Sequence, residues 1–202
     1  MTDSLVLTFA EVELLLRIRQ PELTSLRDVL GLPETNDVTA AAGLASLMAR
    51  GLCTHTAGKV VPSKEVVAIV AGLSTADRAT RVLGWVGEQM IRATLLTGPE
   101  IHIGLFAAEL GQFDVAPLDR TVPLADQIGR FLDSCLGSAA GTALVQTVTA
   151  AGKVSIAVAT DSSGTWFQSD SERDPDTASP STRDDVVARV AELVAGEAAG
   201  AR

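Results

Sequence analysis

The sequence predicts an α+β fold: a helical N-terminal domain with a β-hairpin, followed by a C-terminal domain of two similar βββα halves. Apolar residues at helical spacing alternate with turn signals in the first part, and a sheet-plus-helix pattern occurs twice beyond residue 90. The 202 residues are 47% hydrophobic, which is enough for a substantial core and too apolar for a disordered chain. We expect domains at 1–62 and 91–202, the latter with halves 91–137 and 144–197, joined by connecting helices at 63–90.

The first domain is predicted to contain three helices and a hairpin. Thr8 and Glu11 have the spacing of a capping box at the start of a helix over residues 8–20. A short helix follows, then a third over residues 37–50 that ends at a glycine. The Ala-Gly pair at 57–58, between two short extended runs, is a hairpin signal. This order of elements resembles winged-helix domains, and the resemblance implies a winged-helix-like N-terminal domain.

The third helix lacks the groups that read DNA. In winged-helix domains this helix enters the major groove, where Arg, Lys, Asn or Gln side chains reach the base edges. Residues 37–49 contain no basic residue, and residues 1–63 carry five basic against seven acidic residues. DNA is therefore a disfavoured partner, and we expect the Ala-rich helix to pack on another part of the chain or on a partner. The alternative is a transcriptional regulator with a ligand-sensing or dimerising C-terminal domain, whose DNA affinity would depend on Arg50 and Lys59.

The segment 63–90 is predicted to form two connecting helices that break near residues 72–75. Ser63 would cap the first helix, and Ser74 or Thr75 would cap the second. Trp85, on the second helix, is interpreted as a core residue or an anchor between the domains.

The C-terminal domain is predicted from an internal repeat with a constant offset of 53 residues. The matched pairs are Ile101 and Val154, Ile103 and Ile156, Leu105 and Val158, Gly111 and Gly164, and Phe113 and Trp166. A helix at 122–137 parallels a second one at 181–196 with an offset of 59. Each of the paired glycines should adopt a positive φ in a turn. Two βββα units would form one antiparallel sheet or two pseudo-symmetric halves.

The sequence shows no pattern that indicates catalysis. Cys53 and Cys135 are too few for a disulfide framework or a zinc site, and we expect buried free thiols. His55 and His102 have no further ligand at metal-binding spacing, and neither a phosphate-binding loop nor a nucleophile elbow occurs. We therefore predict no enzyme, no catalytic residue, no metal and no cofactor. A small-molecule site or active site with a pocket lined by Trp85 or Trp166 is a further alternative.

Charge and targeting signals indicate a cytoplasmic protein. The net charge of −9 disfavours a polyanionic partner. No run of about 20 apolar residues could span a membrane, and the first residues lack the pattern of a signal peptide. Abundant Ala, Val and Gly, with more Arg than Lys, are typical of a high-GC bacterium.

The opening Leu7-Thr8-Phe9-Ala10-Glu11, the two related sheet-plus-helix halves and the closing helix at 184–194 resemble a known family. They are similar to the cytosolic substrate-recognition chaperones of actinobacterial type VII (ESX) secretion. The resemblance extends over about residues 60–197 and consists of element order and composition, without a specific motif. It implies non-catalytic binding of helical secretion substrates in the cytosol.

From these observations we expect a non-enzymatic protein-interaction module, an adaptor or secretion-chaperone-like protein that binds a protein partner. Its binding surfaces would be the sheet face around His102, the open sheet edge and the polar segment 169–181, a mobile or partner-binding loop. The candidate partner-binding residues are His102, Trp166, Asp170, Asp174 and Asp176. Self-association into a homodimer is left open.

Overall fold

A computed structural model describes residues 4–86, 89–99, 101–137, 140–170 and 178–196. The predicted α+β class is confirmed: helices are combined with antiparallel β-sheet. The chain divides into two compact units, unit 1 with residues 1–79 and 94–118 and unit 2 with residues 80–93 and 119–202. The winged-helix resemblance, the duplication and the predicted domain boundaries stay predictions.

Unit 1 starts with a short strand and continues with helices and a hairpin. These elements are β1 (Leu5–Thr8), α1 (Phe9–Ile18), α2 (Leu26–Leu30), α3 (Asp37–Ala49), β2 (Cys53–Thr56), β3 (Lys59–Pro62) and α4 (Lys64–Thr75). The predicted capping box is confirmed, since the Thr8 amide donates to the Glu11 carboxylate at 2.8 Å and the Glu11 amide donates to the Thr8 hydroxyl at 3.2 Å. Ser63 caps α4 as predicted.

The predicted hairpin is also confirmed. Strands β2 and β3 pair antiparallel around Ala57 and Gly58, which have φ values of 52° and 77°. Two consecutive residues with positive φ twist the turn in the direction that the paired strands require. On one face of this hairpin lie Cys53, His55, Val60 and Pro62, because Cys53 is opposite Pro62 and His55 is opposite Val60.

The remaining strands of unit 1 form an antiparallel sheet in the order β1-β7-β6-β5. They are β5 (Gln89–Thr97), which passes into unit 1 from unit 2, β6 (Ile103–Ala107) and β7 (Gln112–Pro117). Leu7 lies opposite Phe113 and Leu105 lies opposite Val115, and all four side chains are buried. Gly111 has the predicted positive φ, at 70°.

The predicted second connecting helix is wrong, because Arg78–Val86 form strand β4, which lies next to β5 in the sheet. The hydroxyls of Ser74 and Thr75 donate back to the carbonyl of Ala71 inside α4, so neither residue caps a new helix. Trp85 consequently lies on a strand and is exposed rather than a helical core residue.

Unit 2 combines an antiparallel sheet with two helices. Its further elements are α5 (Leu124–Leu136), β8 (Gly141–Thr149), β9 (Gly152–Thr160), β10 (Trp166–Ser169), β11 (Ser179–Ser181) and α6 (Arg183–Ala195). The strand order is β5-β4-β8-β9-β10-β11. The two helices contact each other and lie against β8 and β9, where Ile128, Leu132 and Val190 are buried. Gly164 has the predicted positive φ, at 82°.

The polar segment 169–181 differs from the loop that the sequence predicts. Ser169 is the last residue of β10, and Ser179–Ser181 form β11, which pairs antiparallel with β10. The prediction of a loop therefore applies only to residues between these strands, and residues 171–177 lie outside the described part of the chain.

Candidate protein-binding site

The buried carboxylate of Glu11 joins helix α1 to α3 through hydrogen bonds. The Glu11 side chain is 0% exposed and accepts hydrogen bonds from the Arg50 guanidinium at 2.8 Å and from the Ser46 hydroxyl at 2.8 Å. With the Thr8 amide, these donors surround both carboxylate oxygens. A buried charge is tolerated only when it is paired and hydrogen-bonded in this way. Glu11 therefore determines how α1 and α3 lie against each other.

A glycine allows the same two helices to approach closely. A Cβ atom at Gly43 of α3 would lie 2.2 Å from the carbonyl oxygen of Ala10 in α1. No real Cβ atom has such a contact with backbone, so a larger residue would separate the helices. Leu47, one turn further along α3, is fully buried.

A second buried carboxylate holds α1 against α2. The Glu13 side chain is 1% exposed, and it accepts from Arg17 Nε at 2.6 Å and from Arg27 of α2. Burial raises the pKa of Glu13, but hydrogen bonds from Thr35, Arg17 and Arg27 outweigh this and hold the pKa below its usual value. Arg17 also contacts Asp37 of α3 at 2.7 Å. Two ionic networks thus fix the position of α1.

A third side of α1 borders an open cavity of about 410 Å³, which we call the apolar groove. Every residue that lines it is apolar: Leu14, Ile18, Leu44, Cys53, Val60, Pro62, Val66, Val67 and Val70. Ile18, Val60 and Val67 are 62%, 44% and 52% exposed. Aliphatic side chains clustered in an open concavity are typical of a surface that binds a partner.

The described residues that line the groove carry no carboxylate, imidazole or hydroxyl group. They include the Cys53 sulfur, and burial raises the pKa of this thiol, which disfavours the nucleophilic thiolate. Both Cys53 and Cys135 are buried free thiols, as predicted. The groove as described can exclude water from an apolar partner, and it offers nothing to orient a small polar ligand.

Two further clefts in the described part of unit 1 have different linings or a smaller volume. One is lined by Glu13, Arg17, Arg27 and Glu34 among others, and the charges of the first three are already paired with one another. Another, of about 230 Å³, lies next to Ile69 and Ile103 on the other side of α4.

The outer face of α3 carries small apolar side chains. Its exposed residues from the second position onward are Val38, Ala41, Ala42, Ala45, Met48 and Ala49. Arg50, which the regulator alternative needs for DNA contact, is engaged by Glu11 and also donates to the Val6 carbonyl at 2.7 Å. This helix therefore presents no free cation for a phosphate group over its length.

The bond from Arg50 to Val6 also affects the sheet edge. β1 is the terminal strand of the sheet in unit 1, and Arg50 occupies one of its carbonyl groups. An occupied edge group hinders the addition of a partner strand. At the end of the strand order in unit 2 lies β11, which is three residues long and contains Pro180.

The sequence-predicted site residues that the structure describes each have their own local contacts. His102 precedes β6 and is half-buried, with Nε2 3.2 Å from the carbonyl oxygen of Gly98. Trp166 begins β10 and is half-buried opposite Thr160. Asp170 is exposed and accepts from Arg189 of α6 at 3.2 Å. Asp174 and Asp176 lie outside the described residues.

Sequence reasoning missed the groove, although α4 contains a signal for it. Val66, Ile69 and Leu73 are buried and form the core face of this helix. Val67 and Val70 widen the apolar arc beyond what one interface covers, and they line the groove. An apolar arc too wide for a single interface predicts a second contact.

Comparison with known proteins adds no relative. No protein-family model matches the chain, and no curated protein matches it at a significant level. Within the described ranges, the helices are too short or too polar to cross a membrane. In that same part of the chain, no three His, Cys, Asp or Glu side chains are grouped as metal ligands would be.

Proposed function

We propose that the protein is a non-enzymatic interaction module, of adaptor or secretion-chaperone type, that binds a protein partner through the apolar groove of unit 1. The observation that carries this proposal is the all-aliphatic lining of an open concavity about 410 Å³ in volume. Leaving such side chains in water is unfavourable by about 25 cal/mol per Å² of apolar area, so a partner that covers them gains this energy.

The rigidity of the groove supports the same proposal. Glu11 and Glu13 hold α1 from two sides, so the Leu14 and Ile18 side chains are displayed without help from a partner. A preformed surface loses little conformational entropy on binding. A module that presents an apolar surface in this way is suited to bind and release segments of other proteins.

The resemblance to type VII secretion chaperones points in the same direction. It implies binding of helical substrates without catalysis, which agrees in kind with a groove that contains no acid–base or nucleophilic group. Cytoplasmic location and the secretion role belong to this proposal.

A pair of matched variants tests the proposal. Val60 faces the groove, whereas Val61, its neighbour on β3, lies on the other face of the hairpin with a similar exposure of 48%. Tagged wild type, Val60→Glu and Val61→Glu would be used to capture partners from the source organism, with quantification by mass spectrometry. We expect a specific protein to be depleted about tenfold or more by Val60→Glu and retained by Val61→Glu.

Two results would contradict the proposal. Equal recovery of every captured protein by the two variants would show that the groove is not the binding site. Recovery of promoter DNA in place of a protein would favour the alternative that the protein is a transcriptional regulator. Circular dichroism of both variants controls for folding.

A further inference from the structure

We infer that the ion pair between Glu11 and Arg50 closes the edge of the sheet in unit 1, so that a second copy of the chain cannot add its own strand β1 there. This role is separate from the apolar groove and goes beyond the proposed function. The backbone groups of β1 and the side chains that bind them support it.

Strand β1 pairs with a neighbour on one side only. It is terminal in the strand order, and its residues lie opposite residues 112–115 of β7. In an antiparallel pair, the amide and carbonyl of one residue point to the same side, and those of the next residue point to the other side. Arg50 binds the Val6 carbonyl and Glu11 binds the Thr8 amide. The backbone groups of Val6 and Thr8 therefore point away from β7.

The ion pair supplies the hydrogen-bonding groups that a neighbouring strand would supply. The Arg50 guanidinium donates to the Val6 carbonyl at 2.7 Å, and the Glu11 carboxylate accepts from the Thr8 amide at 2.8 Å. The guanidinium and the carboxylate are themselves joined at 2.8 Å. A neighbouring strand likewise offers donors and acceptors at every second residue. The pair thus takes the place of a strand beside β1.

Without the ion pair, the edge would fit the same strand of a second copy. Leu5, Val6 and Leu7 are uncharged, and an uncharged edge strand without proline is prone to pair with another strand. Two β1 strands can pair antiparallel about a two-fold axis at Val6, where the amide of each Val6 would donate to the carbonyl of the other. Arg50 occupies the carbonyl that this symmetric pairing requires.

The other end of the strand order is closed by a different device. Strand β11 of unit 2 is three residues long, and its central residue Pro180 lies opposite Phe167 of β10. Proline has no amide hydrogen, so this residue cannot donate to an added strand. Each terminal strand therefore carries a feature that hinders strand addition.

Replacing the ion pair by apolar side chains tests the inference. Glu11→Met combined with Arg50→Met removes both buried charges together, which proteins tolerate far better than the loss of one partner. Size-exclusion chromatography with light scattering would measure the mass of this variant and of wild type over a range of concentrations. We expect the variant to reach twice the wild-type mass at a concentration at least about tenfold below that of any such association of wild type.

A second variant opens the edge with a smaller change in packing. In Glu11→Gln combined with Arg50→Met, the glutamine side chain keeps an acceptor for the Thr8 amide, whereas the Val6 carbonyl loses its donor. This variant should also associate. Circular dichroism of both variants shows whether they are folded.

Two controls assign the association to the edge. Val6→Pro, added to either variant, removes the amide hydrogen at the centre of the symmetric pairing without removing a bond to β7, so the wild-type mass should return. Glu13→Met combined with Arg27→Met removes the buried pair that joins α1 to α2, so it should keep the wild-type mass.

Three results would overturn the inference. The first is an unchanged mass in a folded variant that lacks the Glu11–Arg50 pair. The second is association that persists with Val6→Pro or occurs equally in the Glu13 control, because exposed apolar side chains would then be the cause. The third is failure of both opened variants to fold, which would make the pair a requirement of folding. The capture experiment judges the groove independently of all three.

Discussion

In unit 1 two carboxylates lie inside the core, whereas the buried polar side chains described for unit 2 are uncharged, and one of them, Gln146, accepts from the half-buried Arg81. Glu11 and Glu13 each take their donors from more than one element. In unit 2 the hydroxyls of Thr80 and Thr147 are 3.0 Å apart, and the Thr160 hydroxyl donates to the Leu136 carbonyl at 3.2 Å. The ion pair between Arg183 and Asp133 is partly exposed.

The difference shows how each unit keeps its helices in place. A buried ion pair must satisfy strict geometry before it compensates for the loss of hydration, so it allows one arrangement of the helices around it. Unit 1 thereby fixes α1 while one of its sides remains uncovered. In unit 2, an apolar interface holds α5 and α6 on the sheet, supplemented by the hydrogen bond from Thr160 to the Leu136 carbonyl and by the partly exposed ion pair between Arg183 and Asp133.

The largest effect is expected from Arg50→Ala. Without this guanidinium the buried Glu11 carboxylate keeps only the Ser46 hydroxyl and the Thr8 amide, which should lower the free energy of unfolding by about 3–5 kcal/mol. Urea unfolding monitored by circular dichroism measures this free energy. Arg183→Ala in unit 2 removes an exposed pair and should change stability by little more than the error of the measurement. Equal losses for both variants would show that the buried network has no special role.

A smaller effect is expected where glycines permit close approach. Gly43→Ala in unit 1 meets backbone, so it should cost about 1–3 kcal/mol and resist rescue. Gly84→Ala in unit 2 places Cβ 2.5 Å from the Cys135 sulfur, so adding Cys135→Ala should recover part of the loss. Thermal unfolding of Gly43→Ala, of Gly84→Ala and of the double variant Gly84→Ala with Cys135→Ala measures the losses of stability and the recovery. Absence of any rescue would show that the Cys135 side chain does not limit the space at Gly84.

The smallest effect concerns acid pH. The pKa of Glu13 is lower in the folded protein than in the unfolded chain, so its ionised form stabilises unit 1 above the unfolded value of 4.5. This contribution should disappear as the pH falls through 4.5 toward the lower folded value. Unfolding measured between pH 7 and pH 3 should therefore show a steeper loss for wild type than for Glu13→Gln. Parallel curves would assign the acid sensitivity to other carboxylates.

Local signals in the sequence predicted several elements correctly. The capping box at Thr8, the cap at Ser63 and the turn at Ala57 each depend on groups only a few residues apart. The same holds for the glycines with positive φ. Interactions of this range are present in the chain before it folds, so a sequence pattern is sufficient to find them.

Strand β4 could not be found in this way. Its residues Thr80 and Val82 are buried, and the Thr80 hydroxyl contacts Thr147 of the distant strand β8, while Arg81 between them is half-buried beside Gln146. Apolar residues with mixed spacing fit either a helix or a strand, and pairing over more than 60 residues selects the strand.

The candidate site likewise combines features that the sequence determines with features that only the tertiary structure creates. The sequence by itself determined the α+β class, the caps and turns, and the scarcity of cations on α3, because these depend on composition and on neighbours along the chain. Only the tertiary structure decided that Arg50 is engaged by Glu11, and that Val60, Val67 and Ile18 border one groove. Three separate elements supply these aliphatic side chains, and their proximity is created by the long-range packing that fixes α1.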